Sequence, residues 1–336
     1  MTTRYLVTGA QGFIGRHMIS HLLRHSPKSI VLGVGRSPRQ DSFFNYSLSC
    51  GDRRVPAMLP EYLRPAAVAQ YRYDSVDITS DDFATAVVDF RPTRVIHLAA
   101  RLRGAPDELI FQNNVRSTVS LLEAISQCDV ELFLFASSGG VYGKQDNLPI
   151  EESAIPLALD SYSESKLAAE ELVRQFAIRS GIRTTIARIF NVLGPGQDDL
   201  HFAGRIASQI ASILAGKADP IVRTGPLSSS RDFLDVRDVC HGLWAILESH
   251  QQEVYNLASG VETSVGELLE LFLDAAGLRM CVRIESDSAR IEPIPRHVAN
   301  IGRLASKGFA PHYKLDLCCR EMLTYCARYV CDCSQK

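Results

Sequence analysis

The sequence predicts a doubly wound, parallel α/β sheet followed by a smaller C-terminal α/β lid. Three observations carry this. A short apolar strand at the N-terminus runs straight into closely spaced glycines and then a helical pattern. Strand and helix patterns alternate as far as Phe190, the arrangement that builds a parallel sheet covered on both faces. From about residue 195 the rhythm breaks into shorter strands and helices. Residues 1–194 are therefore expected as a first domain, with 235–258 returning to it, and 195–234 with 259–330 as a second.

The first strand, Arg4-Tyr5-Leu6-Val7-Thr8, enters Gly9-Ala10-Gln11-Gly12-Phe13-Ile14-Gly15, and Ile14, Met18, Ile19, Leu22 and Leu23 continue at helical spacing. Gly9 permits a tight turn, Gly12 lets backbone approach a pyrophosphate, and Gly15 lets the helix lie against the strand. The positive end of the helix dipole then faces the phosphates. This is a Rossmann-type dinucleotide site with GxxGxxG spacing, in which Gln11, Phe13 and Ile14 join the three glycines at the cofactor. Residues 29–35 form the second strand, and Arg36 stands at its end, twenty-one residues past Gly15. There an acid would take a ribose 2′-hydroxyl and an arginine a 2′-phosphate. No Asp or Glu occupies that strand end, so NADP(H) is favoured over NAD, and Arg39 is expected to add to the same pocket.

Residues 37–70 are rich in Ser, Pro and Arg without a sustained period, which leaves a flap, a short helix or part of an interface open. Residues 71–76 read as a strand. Asp77 then either reaches the adenine amino group or caps the helix from Ser80, with Ile78 beside it at the cofactor. Residues 94–100 form the next strand, and its end, Leu98-Ala99-Ala100, is where backbone passes the cofactor. His97 is expected to be packed at a strand end rather than to act as a base. Residues 109–125 form a long helix in which Asn114 is expected to hydrogen-bond a neighbouring loop.

The apolar run Leu132-Phe133-Leu134-Phe135-Ala136 delivers Ser138 to a strand end, where ligands bind in open α/β sheets. Nineteen residues after Gly143 comes Tyr162-Ser163-Glu164-Ser165-Lys166, opening a helix. Tyr162 and Lys166 share one helix face at i, i+4. A phenol titrates near ~10, and a neighbouring ammonium favours phenolate and brings the group towards neutral pH. Hydroxyl, phenol and ammonium together make a proton-transfer site for a carbonyl/alcohol pair. A sixth strand ends at Ile189 and Phe190, against the cofactor, and leads into Asn191.

Composition excludes several classes. The chain has 336 residues, 46% apolar and 22% charged, with net charge −2. It lacks the basic footprint of a nucleic-acid binder, and no run reaches the ~18 apolar residues of a membrane span. With no charged-then-apolar leader, a cytoplasmic protein is expected. Of nine cysteines, Cys318, Cys319, Cys326, Cys331 and Cys333 crowd the tail. No Cys-x-x-Cys pairs them and the nearest histidine is His312, so no metal is expected there; they read as small apolar residues of a terminal helix.

Residues 8–15, 137–143, 162–166, 188–196 and Arg231-Asp232-Phe233-Leu234-Asp235-Val236-Arg237-Asp238-Val239 occur in this order. Together they resemble the extended short-chain dehydrogenase/reductases, the family of nucleotide-sugar epimerases, dehydratases and reductases, over nearly the whole chain. The resemblance implies that Tyr162 is the acid/base, that Lys166 binds the nicotinamide ribose and lowers the Tyr162 pKa, and that Ser138, with Gly139 beside it, meets the substrate oxygen. It further implies that Asn191 and Arg231 hold a sugar nucleotide, with Arg231 on the diphosphate, as a guanidinium fork suits. Arg290 falls where the family often carries another substrate-binding arginine, but Pro293 stands where its usual acid would be.

The family's 4,6-dehydratases resemble one another in a Thr-Asp-Glu where this chain has Ser138-Gly139-Gly140; without those carboxylates, dehydration and Glu-assisted decarboxylation are not expected. Two redox readings remain. A 4-epimerase retains one cofactor, usually NAD, whereas a net reductase draws NADPH from solution. Arg36 favours the second, and residues 190–197 and 231–239 resemble most the GDP-4-keto-6-deoxymannose reductases. The expectation is NADPH-dependent reduction of a nucleotide-diphospho-4-keto-6-deoxyhexose, with 4-epimerisation as the alternative. A protein that bound NADP without turnover would have no need of Ser138, Tyr162 and Lys166. The resemblance also implies a homodimer formed by the helices at 109–125 and 162–180, for which Leu167, Val173 and Phe176 offer apolar positions unless they face the sheet.

Overall fold

The computed structural model describes residues 2–64, 69–102, 104–249, 251, 253–287 and 292–331. β1 (Arg4–Thr8) leads through the glycines into α1 (Phe13–His25) and β2 (Ile30–Gly35). The stretch without a sequence period is an antiparallel hairpin, β3 (Phe43–Cys50) and β4 (Arg53–Met58). β5 (Tyr71–Ser75), α2 (Asp81–Phe90), β6 (Arg94–His97), α3 (Asp107–Ile125), β7 (Leu132–Ser138), α4 (Ser161–Ser180) and β8 (Arg183–Ile189) restore the alternation. β9 (Asn191–Leu193), α5 (Phe202–Leu214), β10 (Ile221–Thr224), β11 (Ser230–Asp235) and α6 (Val236–Ser249) follow. The chain ends with β12 (Val254–Leu257), β13 (Glu262–Ser264), α7 (Val265–Ala276), β14 (Arg283–Ser286), β15 (Arg296–His297), α8 (Gly302–Ala305) and α9 (Leu315–Cys326).

The seven-stranded main sheet runs β12-β8-β7-β6-β1-β2-β5 and is parallel throughout. Its central strands are covered on both faces, so β7 is buried over its whole apolar run, as parallel sheets require. One apolar layer fills the space under α1 and α6, and a second lies between the opposite face and α2, α3 and α4. Val173 and Phe176 belong to that second layer, so of their two expected roles they take the sheet-facing one. Helix ends follow side-chain chemistry: Asp160 accepts from Ser163 N at 2.8 Å to start α4, and Gly181 ends it in the left-handed region.

Beyond the main sheet, β11 gathers β13, β15 and β9, while β10 pairs with β14. A third apolar cluster joins the β3–β4 hairpin to α5, α7 and α9 and holds Cys50, Cys318, Cys319, Cys326 and Cys331. The cysteines expected as small apolar residues are buried as such; Cys333 lies outside the described residues. Among those residues no helix is long and apolar enough to cross a membrane.

Candidate active site

In the main sheet, β2 and β6 leave β1 on opposite sides, so the strand order reverses between β1 and β6. Ligands of open α/β sheets bind outside the strand ends at such a point. A cavity of about 1010 Å³ opens there. The glycine turn fits close backbone packing around a phosphate. Gly9 has φ +70° and an added Cβ would sit 2.8 Å from Ala99 N; a Cβ on Gly15 would sit 2.1 Å from Gly9 O. No side chain caps the start of α1, and Gln11 Nε2, buried beside it, has no hydrogen-bond partner. The residues present therefore fit a dinucleotide pyrophosphate.

Apart from Arg39, the residues expected at the cofactor line this cavity: Gly9, Gln11 and the run from Gly12 to Gly15, then Arg36, Asp77, Ile78, residues 98–100 and Ile189. β2 and β7 are three strand spacings apart, about 14 Å, a span for an extended dinucleotide between Arg36 and Ser138. Arg39 departs from expectation: it pairs with Asp41 at 2.9 Å and is not among the lining residues. Asp77 does not cap α2, because Ser80 does so. Its carboxylate accepts from Thr79 N at 2.8 Å and Thr79 Oγ1 at 2.7 Å, and these bonds hold it below the usual carboxylate range.

At the other end stand Ser138, Tyr162 and Lys166. Ser138 closes β7, and its Oγ accepts from Gly140 N at 3.1 Å, which leaves its proton for an incoming oxygen. Lys166 is buried; its Nζ donates to Ala136 O at 2.8 Å and lies 6.0 Å from the centre of the Tyr162 ring. Burial lowers the Lys166 pKa to about 8 against the opposing pull of Glu170. One turn further along α4, Glu170 meets Arg188 through two bonds of 2.9 and 2.7 Å and accepts from Ser137 Oγ at 2.6 Å. Although burial pushes Glu170 up, Arg188 and Ser137 hold its carboxyl below the usual range. Asn114 ties α3 to this start of α4: it accepts from Arg101 N at 2.6 Å and donates to Ser165 Oγ at 2.9 Å. His97 lies 2.6 Å from Thr8 Oγ1 and 3.3 Å from Thr118 Oγ1. Burial drops its pKa to about 3, so it is a neutral, packed histidine.

Asn191 and Arg231 also line the cavity, whereas Gly139 does not: it is buried under the Phe190 ring, where a Cβ would meet ring carbons at 2.8 Å. Its neighbour Gly140 forms the wall instead. Arg290 lies outside the described residues. Glu292, one residue before Pro293, supplies an acid there and pairs with Arg231 at 2.8 Å. Burial nonetheless lowers the Arg231 pKa. Sequence reasoning passed over Glu292, and also His297, whose Nε2 donates to Gly139 O at 3.1 Å and whose ring stacks on Phe190. Asn45 and Tyr46 reach the wall from β3, with the Tyr46 hydroxyl bonded to Gly196 O.

Comparison with known proteins agrees with this geometry. The family model described as NAD dependent epimerase/dehydratase family matches residues 5–258. The chain is 34% identical over 302 residues to the GDP-6-deoxy-D-mannose reductase of Pseudomonas aeruginosa, covering 87% of this chain and 85% of that protein. It is 29% identical over 316 residues to a putative UDP-glucose 4-epimerase of Methanocaldococcus jannaschii, covering 92% and 94%. Among solved structures, RMD from Pseudomonas aeruginosa complexed with NADPH superposes with a TM-score of 0.79 at 30% identity, over 97% of this chain and 98% of that one. A switch-point cavity, a glycine cradle and a serine–tyrosine–lysine cluster, matched along most of the chain, place it among the NAD-dependent epimerase/dehydratases, the extended short-chain dehydrogenase/reductases that work on nucleotide sugars.

Proposed function

We propose that this chain reduces the 4-keto group of a nucleotide-diphospho-4-keto-6-deoxyhexose with NADPH, the GDP-linked sugar being favoured. The observation that carries this reading is the meeting of Ser138, Tyr162 and Lys166 in one cavity with Arg36. Gly139 and Gly140 offer no carboxylate for water elimination, and the Pseudomonas relative is named for reduction of a GDP-sugar. NADPH, when bound, supplies the hydride. Tyr162 gives its phenolic proton to the carbonyl oxygen, and Ser138 donates a hydrogen bond to the same oxygen. Lys166 carries the positive charge that makes the phenol a better acid/base and holds the nicotinamide ribose. Arg36 takes the 2′-phosphate, which distinguishes NADP from NAD.

On the substrate side, Asn191 holds the sugar nucleotide and Arg231 exchanges Glu292 for the diphosphate, with Arg290 as a further contact. A guanidinium already removed from water binds phosphate oxygens more strongly than an exposed one. In this reading residues 195–234 and 259–330 form the substrate-binding domain, residues 1–194 and 235–258 the NADP-binding one, and the protein acts as a homodimer. The test is an absorbance and mass-spectrometric assay of NADPH and NADH against GDP-, dTDP-, UDP- and CDP-4-keto-6-deoxyhexoses. NADPH consumption with a two-hydrogen mass gain is expected, largest for the GDP sugar. Untouched NADPH together with interconversion of intact 4-epimers would replace the reductase by the epimerase.

A further inference from the structure

Four histidines and one buried carboxylate gather where α1 meets α6 and the loop before α9: His21, His25, His241, His312 and Asp238. None of them lines the active-site cavity. We propose that Asp238, His241 and His312 form a binding site for a late first-row divalent cation, Zn²⁺ in the first place, which fastens the loop before α9 to α6.

The argument starts from Asp238, which is fully buried. Its Oδ2 accepts from the backbone N–H groups of His312 and Tyr313, both at 2.9 Å. These bonds aim Oδ1 at two imidazoles, yet Oδ1 itself has no hydrogen-bond partner. His241 Nδ1 stands 3.7 Å away and His312 Nδ1 3.5 Å away. Both separations are too long for a hydrogen bond, and an unsatisfied buried oxygen is costly. They suit a shared cation. With metal–ligand bonds of about 2.1 Å, the edge of a tetrahedron of ligands is about 3.4 Å. Two nitrogens and one carboxylate oxygen form a donor set that Zn²⁺ accepts. His241 and His312 are 33% and 65% exposed, which gives the ion an entry path and leaves water for the fourth position. The N–H bonds to Oδ2 act as the outer-shell support that such sites need.

A second grouping, His21 with His25 and His241, lies within the same span of 4.8 Å but lacks an anion, and His25 Nδ1 is already 3.0 Å from His21 O.

The test uses the full chain without a histidine tag, stripped with chelator and titrated with Zn²⁺ against a chromophoric competitor. Tight binding of a single ion is expected, with a rise in the thermal midpoint that chelator reverses. H241Q and H312Q should each weaken binding by more than about tenfold and remove the midpoint rise, while H25Q keeps both. Because His312 is largely exposed, H312Q should still fold, and retained NADPH binding checks that it does. The proposal is overturned if folded wild-type protein binds no Zn²⁺, or if H241Q and H312Q bind as the wild type does. Loss on H25Q but not H312Q, or on replacing the tail cysteines by serine, overturns it equally.

Discussion

At the scale of single residues, Lys166 is the group whose environment most limits what the site can do. Its ammonium is buried and anchored on Ala136 O, and burial brings its pKa down to about 8. The charge is thus present below about 8 and lost as pH rises through it. Between that value and the ordinary 10.5 the unfolded chain binds the extra proton, so this residue makes the fold gain stability with rising pH in that window. Cofactor binding has the opposite sign. NADPH affinity, followed by fluorescence titration, should weaken as pH rises through about 8, and Lys166→Met should show no such limb. A flat wild-type profile would deny Lys166 its place at the ribose. Tyr162→Phe should lose about 10²–10⁴-fold in turnover yet bind NADPH unchanged. Unimpaired turnover in that variant would remove Tyr162 from proton transfer.

At the scale of elements, α4 is set in depth by Glu170, which binds Arg188 of β8, Ser137 of β7 and Arg174 of its own helix. Since Glu170 and Lys166 are one turn apart, this clamp fixes how far Lys166 and Tyr162 reach towards Ser138. Glu170→Gln leaves Arg188 buried without its anion and should cost about 3–5 kcal/mol in urea unfolding, with Arg188→Met added in the double variant restoring much of it. Equal stability of Glu170→Gln and wild type would show that the clamp carries no strain of charge. The elements around this clamp were legible because the run of β7 is apolar throughout and Tyr162 and Lys166 open α4 at helical spacing. The β3–β4 hairpin was not. Its register shifts between Phe43 and Ser47, which breaks the period-two alternation that marks a strand. The helix period also left two partners open for Val173 and Phe176, because spacing states that a face is apolar without stating what covers it. Arg39 was misplaced for a local reason, since Asp41 two residues on captures it. The histidine cluster had two sequence signals, the i, i+4 spacing of His21 and His25 on α1 and the i, i+3 spacing of Asp238 and His241 on α6, but His312 joins them only through the fold.

At the scale of the whole molecule, the cavity walls come from three sheets. The turns after β1 and β6 and the end of β7 supply one side, while Arg231 of β11, His297 of β15 and Tyr46 of β3 supply the other. A ligand that touches both sides opposes their separate opening, and any ligand of the folded state alone stabilises it, by about 2.7 kcal/mol at a hundred times its Kd. NADPH should therefore raise the thermal midpoint, and GDP added to the NADPH complex should raise it again by engaging Arg231. Arg231→Gln should abolish the GDP increment and leave the NADPH increment intact, because Arg231 is the residue proposed to hold the diphosphate. Differential scanning fluorimetry with GDP, UDP, dTDP and CDP measures this without any ketosugar. If UDP or dTDP matches GDP, the preference for a guanine base falls while the diphosphate anchor stands; if Arg231→Gln keeps the GDP increment, the anchor itself lies elsewhere on the wall.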